Sequence, residues 1–290
     1  MSTLTAPDLT APAPTAPGRP VPGPYRVTFA RVVHAEWIKF RTVRSTLWTL
    51  IATVLLMVGV SVLASWGSTL TIEGQEPVLG MNVAQLLSAG YQLGQLAVAV
   101  LGVLTIAGEY STGMIRSTVA AVPRRLPTLG AKALVLSLVV AAVSLVAMVL
   151  SYVATMPFHD RLGATFDLTS AETLRMTVGL PLYLVAVALL AFGVGALLRH
   201  SAGALTAVLG MLLVIDNIVT MIPLRLFELV GPFLPSAAGR RVLFDDEMLA
   251  SVDAMTSGTV LTPWQGYGVL VAWAAVTVAV AAVLLHRRDA

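Results

Sequence analysis

The 290-residue sequence contains no cysteine and only four histidines. Without thiols the chain can form no disulfide, thiolate metal site or catalytic cysteine, so cysteine usage says nothing about the redox compartment. Lysine is equally scarce, because Lys39 and Lys132 are the only two, against sixteen arginines. The preference for arginine, together with abundant Ala, Val and Leu, is typical of a GC-rich bacterial genome.

Charged residues make up only 11% of the sequence, whereas a soluble protein carries roughly a quarter. Hydrophobic residues account for 57%, and the mean hydropathy is +0.86. A core of this size could not hide so much apolar surface from water, which excludes a soluble globular fold. The net charge of +3 is too small and too scattered to indicate nucleic-acid binding. We therefore expect an integral membrane protein that has the lipid bilayer as one of its partners.

Apolar runs long enough to cross a bilayer, which takes roughly 20 residues, recur along the chain. Five are free of charge, at 45–72, 77–108, 133–159, 176–198 and 254–286, and a sixth at 200–224 is interrupted only by Asp216. The pattern predicts an all-α integral membrane protein with six transmembrane helices, and we treat residues 25–290 as one membrane domain. Asp216 lies near the outer interface in this scheme, where it could meet water or Arg225. A substrate or proton-relay role is a hypothesis for it.

Residues 1–24 contain seven of the sixteen prolines. That composition cannot form a helix or bury a core, so it predicts a disordered cytoplasmic tail and no secretory signal. Placing the N terminus inside puts 13 of the 18 basic residues in the cytoplasm. The distribution predicts a multi-pass protein of the bacterial plasma membrane with both termini cytoplasmic.

Residues 25–44 alternate apolar and basic side chains, with Trp37 on the apolar stripe of a helix. This pattern favours an amphipathic helix in the headgroup plane. The alternative is an extended, positively flanked start to the first span. Glu36 lies inside the apolar stripe, so its carboxylate needs a partner, for which Lys39, Arg44 and a basic residue of another subunit are the candidates.

The connection between the second and third predicted spans, residues 108–125, has the features of a short capped helix. Ser111 is a plausible N-cap, Glu109 and Tyr110 stand at the membrane exit, and Pro123 ends the turn. The alternative is a positively flanked loop. A connecting loop has no need of a second amphipathic turn, so the segment indicates a cytoplasmic coupling helix that docks on a partner.

One face of the second predicted span is polar, with spacings of three and four between Ser88, Tyr91, Gln92 and Gln95. Gly90 and Gly94 form a small-xxx-small pair beside it. The polar face either lines a substrate path, for which Ser88, Gln92, Gln95 and Asp216 are the candidate residues, or makes hydrogen bonds between helices. On the outer side, the capping-box spacing of Thr169 and Glu172 predicts a short surface helix before the fourth span.

Five fragments carry a resemblance to a known family. They are His-Ala-Glu-Trp-Ile-Lys-Phe-Arg at 34–41, Gly-Glu-Tyr-Ser-Thr-Gly at 108–113 followed by Arg116, Pro123 and Arg124, Leu-Pro-Ser-Ala-Ala-Gly at 234–239, Pro-Trp at 263–264, and Arg-Arg-Asp-Ala at 287–290. Their order and spacing make nearly the whole chain resemble an ABC transporter permease subunit of the type-2 exporter family, of the actinobacterial type.

The resemblance implies roles for both cytoplasmic segments. The first would be an interfacial connecting helix, with Glu36, Trp37 and Lys39 as its site residues. The second would be a coupling helix seated on a separate ABC ATP-binding subunit, through Glu109, Tyr110, Thr112, Gly113, Arg116 and Arg124. The resemblance further implies efflux, pairing with a second permease half in a homodimer or heterodimer, and short re-entrant helices within 223–263 that close the outer mouth.

The chain contains no P-loop, because neither lysine follows a glycine. ATP and Mg are therefore expected on the partner subunit, and we expect no catalytic residue, cofactor or metal on this chain. The histidines fall at the ends of the predicted spans or outside them, which argues against a membrane-embedded hydrolase. The expected function is the permease subunit of an ATP-driven exporter. An ion-driven secondary transporter, a non-transporting scaffold and an immunity protein remain alternatives, and no residue selects a substrate.

Overall fold

The structure is a computed structural model that describes residues 28–71, 82–111, 113, 125–215, 218–219, 222, 225–256 and 258–287. These residues are helical apart from short connections and one isolated bridge between Asn82 and Thr165, which confirms the all-α prediction for them. The predicted tail 1–24 lies outside the described residues, as do most of the predicted coupling helix and the candidates Thr112, Arg116, Arg124 and Asp216.

The described residues form eleven α-helices. They are α1 Phe29–Thr42, α2 Arg44–Thr71, α3 Val83–Ser88, α4 Tyr91–Ser111, α5 Arg125–Leu162, α6 Ala171–Leu198, α7 Ser201–Leu209, α8 Arg225–Val230, α9 Pro235–Gly239, α10 Asp246–Met255 and α11 Pro263–Arg287. A π-helical stretch, Gly210–Ile215, continues α7, and 3-10 turns Gly231–Phe233 and Arg240–Leu243 flank α9.

Five helices, α2, α4, α5, α6 and α11, are long and apolar enough to cross a membrane. The structure therefore supports a multi-pass membrane protein. The region of the sixth predicted span forms a shorter apolar helix over Ser201–Ile215, so the described residues provide five spans of full length rather than six. The last span also begins later than the apolar run suggested, because α10 ends at Met255 and α11 begins only at Pro263.

Helix α1 is separate from α2, since the chain becomes extended at Val43 for one residue. The alternative of an extended start to the first span is therefore wrong, because residues 29–42 are helical. Val32 and Glu36 of α1 are buried, while Phe29 and Trp37 are exposed. The predicted apolar stripe is thus divided between the protein and its surroundings, and its place at a membrane interface stays a prediction.

The second predicted span is broken into two helices. Asn82 caps α3 by accepting a hydrogen bond from the amide of Ala84, and a turn at Ala89 and Gly90 separates α3 from α4. Helix α4 then continues past the apolar run to Ser111, whose hydroxyl donates to the carbonyl of Gly108. Ser111 is thus the last residue of α4, and most of the residues of the coupling helix predicted to follow it lie outside the described ones.

Helix α6 lies at the centre of the bundle and packs against α4 and α11. Its side chains Tyr183 and Phe192 are fully enclosed. Glycines permit the closest approaches, because a Cβ atom at Gly102 of α4 would stand 2.3 Å from the carbonyl oxygen of Ala188. In contrast to α6, helices α2 and α11 bury only a small part of their surfaces and present apolar side chains outward.

At the N-terminal end of α6 the chain forms a helical cap. Glu172 belongs to the first turn of α6 itself, so the separate surface helix predicted before the fourth span is wrong. The guanidinium of Arg175 donates to Asp246 at 2.9 Å and to the carbonyl of Phe244 at 2.7 Å. These bonds fasten the start of α10 to the start of α6.

Candidate functional site

Four charged side chains meet where α1, α4 and α5 come together. Glu36 and Lys39 lie on α1, Glu109 lies in the last turn of α4, and Lys132 lies in the second turn of α5. We call these four residues the ionic cluster. It contains both lysines of the sequence and none of the sixteen arginines.

The two ammonium groups bridge the two carboxylates. Lys132 Nζ lies 2.7 Å from Glu36 Oε2 and 2.6 Å from Glu109 Oε1. Lys39 Nζ lies 2.8 Å from Glu36 Oε1 and 3.1 Å from the same Glu109 Oε1. Every one of the three helices is therefore joined to both others by a charge-assisted hydrogen bond.

Burial makes these contacts matter for stability and specificity. Lys132 is 2% exposed, and Glu36 and Glu109 are each 4% exposed. Removing such charges from water is costly unless each is paired, so the cluster forms only when all three helices are in place. Glu109 Oε2 is buried and has no hydrogen-bond partner among the described residues. An open acceptor at this depth calls for a donor that the described side chains do not provide.

The pKa of Lys39 reflects the balance of burial and pairing. Burial alone lowers the pKa of this ammonium group. The hydrogen bond to Glu36 and the negative charges of Glu109 and Glu36 more than offset that effect, so the pKa lies above its usual value of 10.5. Lys39 is therefore a firmly charged member of the cluster at neutral pH.

The partner predicted for Glu36 is confirmed in Lys39, and the structure adds Lys132, which the sequence analysis missed. Arg44 makes no ion pair with this carboxylate. The predicted third span began at 133, one residue after Lys132, so the need of this lysine for a counter-charge became evident only from the extent of α5. Trp37, the remaining predicted residue of α1, is 42% exposed and takes no part in the cluster.

The described residues of the predicted coupling segment differ in exposure. Glu109 is enclosed in the ionic cluster rather than on an outer surface. Tyr110 is half-buried, and its ring lies 5.3 Å from the guanidinium carbon of Arg199, the residue that ends α6. Gly113 is exposed with φ of +73°, a backbone conformation that favours glycine. Glu109 and Tyr110 thus face the bundle, whereas Ser111 and Gly113, which follow them in the sequence, are exposed.

A partly enclosed cavity of about 300 Å³ adjoins the ionic cluster. Its walls combine the four cluster residues with Gly108 and with hydroxyl and apolar side chains of α1, α2, α4 and the residue between α1 and α2, namely Ser45, Thr46, Thr49, Thr105, Phe40, Val43, Leu101 and Leu104. The volume is at the lower end of the range of roughly 300–1,000 Å³ that small-molecule sites occupy.

The polar face predicted on the second span is not brought together as one surface. Ser88 lies on α3, where its hydroxyl donates to the carbonyl of Gln85, and Gln92 is exposed. Gln95 is buried and accepts a 2.5 Å hydrogen bond from the hydroxyl of Tyr183 on α6. The polar face was predicted either to line a substrate path or to make hydrogen bonds between helices, and Gln95 does the second. Asp216, a further candidate for the substrate path, lies outside the described residues.

No family model matches the chain, and no curated protein matches it either. Among the residues that the structure describes, no group of three or more His, Asp or Glu side chains is placed to hold a metal ion.

Proposed function

We propose that this chain is the permease subunit of an ATP-driven ABC exporter in the bacterial plasma membrane, with both termini cytoplasmic. The ATP-binding subunit is a separate polypeptide that carries ATP and Mg. A second permease half, identical or different, completes the substrate path. The outward-facing apolar sides of α2 and α11 offer surface for that half and for lipid.

The observation that carries the proposal is the ionic cluster. Its members Glu109 and Lys132 lie on either side of residues 112–124, the segment proposed to dock on the ATP-binding subunit. A displacement of that segment would pull directly on the ends of α4 and α5. Through Glu36 and Lys39 the same displacement would reach α1, which leads into α2.

The arrangement divides the proposed coupling into two tasks. Gly113, which is exposed, and the proposed docking segment around it would contact the ATP-binding subunit. Glu109 would act inside the permease, because its carboxylate is enclosed and bound to two lysines. Binding energy at the ATP-binding subunit would then bias the permease between two packed arrangements rather than deform it continuously.

The test is co-purification from native membranes of the host in mild detergent, with a tag at the C terminus. We expect a P-loop ATPase in stoichiometric amount, identified by mass spectrometry, with ATP hydrolysis in the purified complex. Arg116→Glu should abolish the association, because it reverses a charge in the proposed docking segment. Glu109→Gln should preserve the association and uncouple ATP hydrolysis from substrate transport.

The matched control is Arg225→Glu, which makes the same change at an exposed position of α8. It should leave the complex intact. A complex without any P-loop ATPase, or an ATPase that stays bound in Arg116→Glu, Gly113→Val and their double variant, would contradict the proposal. The first of these results would favour an ion-driven carrier or a scaffold.

A further inference from the structure

Residues 231–243, which comprise α9 and the two 3-10 turns that flank it, run along the sides of two membrane helices rather than across their ends. The indole N–H of Trp273 donates to the carbonyl of Phe233 at 3.0 Å. Trp273 is ten residues beyond the first residue of α11, which places this contact roughly 15 Å along the helix. Because α11 is long and apolar enough to cross a membrane, the segment enters the thickness of the bilayer.

The depth of Arg240 can be measured along both helices. Gly239, the residue before it, lies against Tyr183 of α6 and Leu270 of α11, since a Cβ atom there would stand 3.0 Å and 2.5 Å from their side chains. Leu270 is seven residues beyond the start of α11, and Tyr183 is eight residues beyond Arg175, which forms an exposed ion pair with α10. At helical rise these separations are roughly 10 and 12 Å, so the backbone of Arg240 lies about 10 Å inside the bundle.

The two successive arginines at this depth differ in their partners. Arg241 is 8% exposed, and its guanidinium donates to Asp253 at 2.6 Å. Arg240 is half-buried, and no described residue forms an ion pair or a hydrogen bond with its side chain. An arginine at membrane depth is costly without a counter-charge, so such residues nearly always face an aqueous path or an anion. Residues 231–243 therefore carry one positive charge that calls for a negative ligand.

The side chain of Arg240 is on the less buried face of its segment. Along the helical residues 235–243 only Ala237 and Arg240, three residues apart, are half-buried, and the others are buried against the bundle. The neighbouring aromatic side chains Phe233 and Trp273 are each 41% exposed. A ligand that reaches the guanidinium therefore approaches from outside the bundle of this chain and meets apolar surface beside the charge. Those two requirements fit an amphiphile with a negatively charged head.

We propose that Arg240 binds the head group of the transported substrate and that this substrate is an anionic amphiphile. The planar guanidinium donates two parallel N–H bonds to oxygens of a phosphate or carboxylate, which is the pairing that arginine makes best. The apolar part of the substrate lies against Phe233 and Trp273. The inference rests on the proposed function, because it places Arg240 in the substrate path that the second permease half completes.

The first experiment measures binding to the purified full chain without any ATP-binding subunit. The probes are dodecyl phosphate, dodecanol and dodecyltrimethylammonium, which share one alkyl chain and differ in the charge of the head. Native mass spectrometry counts the probe molecules that stay bound. We expect dodecyl phosphate to bind about tenfold more tightly than dodecanol, since a hydrogen bond to a charged group contributes about that factor. Arg240→Gln should remove the preference, and Arg240→Lys should keep most of it.

Two further variants separate the anion site from general effects of charge and folding. Arg225→Gln removes an arginine at an exposed position of α8 and should bind the probes as the wild type does. Ala237→Glu leaves Arg240 in place but supplies a carboxylate three residues away on the same face. It should abolish the preference for dodecyl phosphate, because the guanidinium then has a counter-charge within the chain.

The second experiment asks whether the bound anion is a substrate or a phospholipid that resides at the site. In the complex with the ATP-binding subunit, dodecyl phosphate should stimulate ATP hydrolysis by the wild type and not by Arg240→Gln. Binding without stimulation would identify a resident phospholipid phosphate and would contradict the assignment of the substrate. Binding through Arg240 by a chain that co-purifies no ATPase would contradict the proposed function and leave the anion site in place.

Three results of the binding experiment would overturn the anion site itself. Equal binding of the three probes by the wild type would show that the charge of the head is not recognised. A preference for dodecyl phosphate that persists in Arg240→Gln would place the anion elsewhere on the protein. Binding that appears only in Asp216→Asn would show that a carboxylate of the chain already neutralises Arg240.

Discussion

Lys132 has carboxylates of two other helices within 2.7 Å and is 2% exposed. The pair interactions and the desolvation of three enclosed charges oppose each other, so the net stability that the ionic cluster provides is small compared with the cost of breaking it. The cluster therefore acts mainly through specificity. It permits one arrangement of α1, α4 and α5 and penalises arrangements that separate them.

Lys132→Met should destabilise the protein by about 3–5 kcal/mol, because it leaves Glu36 and Glu109 buried with one lysine between them. Adding Glu109→Gln to Lys132→Met should recover part of that loss, since it leaves a single carboxylate, Glu36, paired with the remaining Lys39. Unfolding in mixed detergent micelles measures both. Arg225→Met at an exposed site is the control, and a loss no greater than that of the control would contradict the enclosed position of Lys132.

The contribution of Lys39 should depend on pH in one direction. Its pKa in the folded protein is raised above 10.5, so the stabilisation is complete below that value and is lost as the pH rises through the raised pKa. The difference in melting temperature between wild type and Lys39→Met should be constant from about pH 7 to about pH 9 and should shrink above about pH 10.5. A difference that already vanishes near neutral pH would be inconsistent with a paired Lys39.

At the scale of elements, hydropathy located the membrane helices but misplaced several of their ends. The third predicted span was drawn from 133, whereas α5 begins at Arg125 and carries Lys132 in its second turn. A charged residue ends an apolar run in the sequence. It does not end the helix in the structure when an opposite charge on another helix neutralises it. Glu109 in α4 is the same case. No local pattern could reveal that these two charges pair, because they come from different helices.

The glycines of α4 and of the turn before it show the same dependence on tertiary context. The sequence predicts the small-xxx-small pair Gly90 and Gly94, and both glycines pack against Met57 of α2. Gly102, which the sequence analysis did not single out, makes a closer approach to the backbone of α6. Spacing alone identified the first pair, whereas the contact of Gly102 depends on which helix lies opposite.

Gly102→Ala should destabilise the bundle by about 1–3 kcal/mol, because the new Cβ atom would stand 2.3 Å from the carbonyl oxygen of Ala188 and the two helices would have to separate. Gly59→Ala, in open surroundings on α2, should be neutral or stabilising by up to about 1 kcal/mol. Thermal unfolding of the two purified variants tests the pair. Equal effects would mean that α4 and α6 are not in the described contact.

For the whole molecule, α6 gives a measure of the distance between the two ends of the bundle. Arg175 near its start binds the cap that contains α10, and Arg199 at its end stacks on Tyr110 of α4. Helix α6 has 28 residues, which corresponds to roughly 42 Å. The α10 cap and the end of α4 should therefore lie on opposite sides of a bilayer.

Because the chain has no cysteine, single-cysteine labelling has no background from the protein itself. Met255 at the end of α10 is 88% exposed, and Ser111 at the end of α4 is exposed as well. A membrane-impermeant maleimide should label Met255→Cys on intact cells and Ser111→Cys only in inside-out vesicles. Labelling of both from the same side would refute the topology, and a reversed pattern would refute the proposed orientation.

The placement of both lysines in the ionic cluster also gives the protein an unusual surface chemistry. Every side-chain amine of the chain is engaged where three helices meet, and only Lys39 is partly exposed. An acylating reagent that modifies amines therefore finds almost nothing to react with while the helices stay together. The rate at which Lys132 is acylated, measured by mass spectrometry, therefore reports how often α1 and α4 move apart from α5.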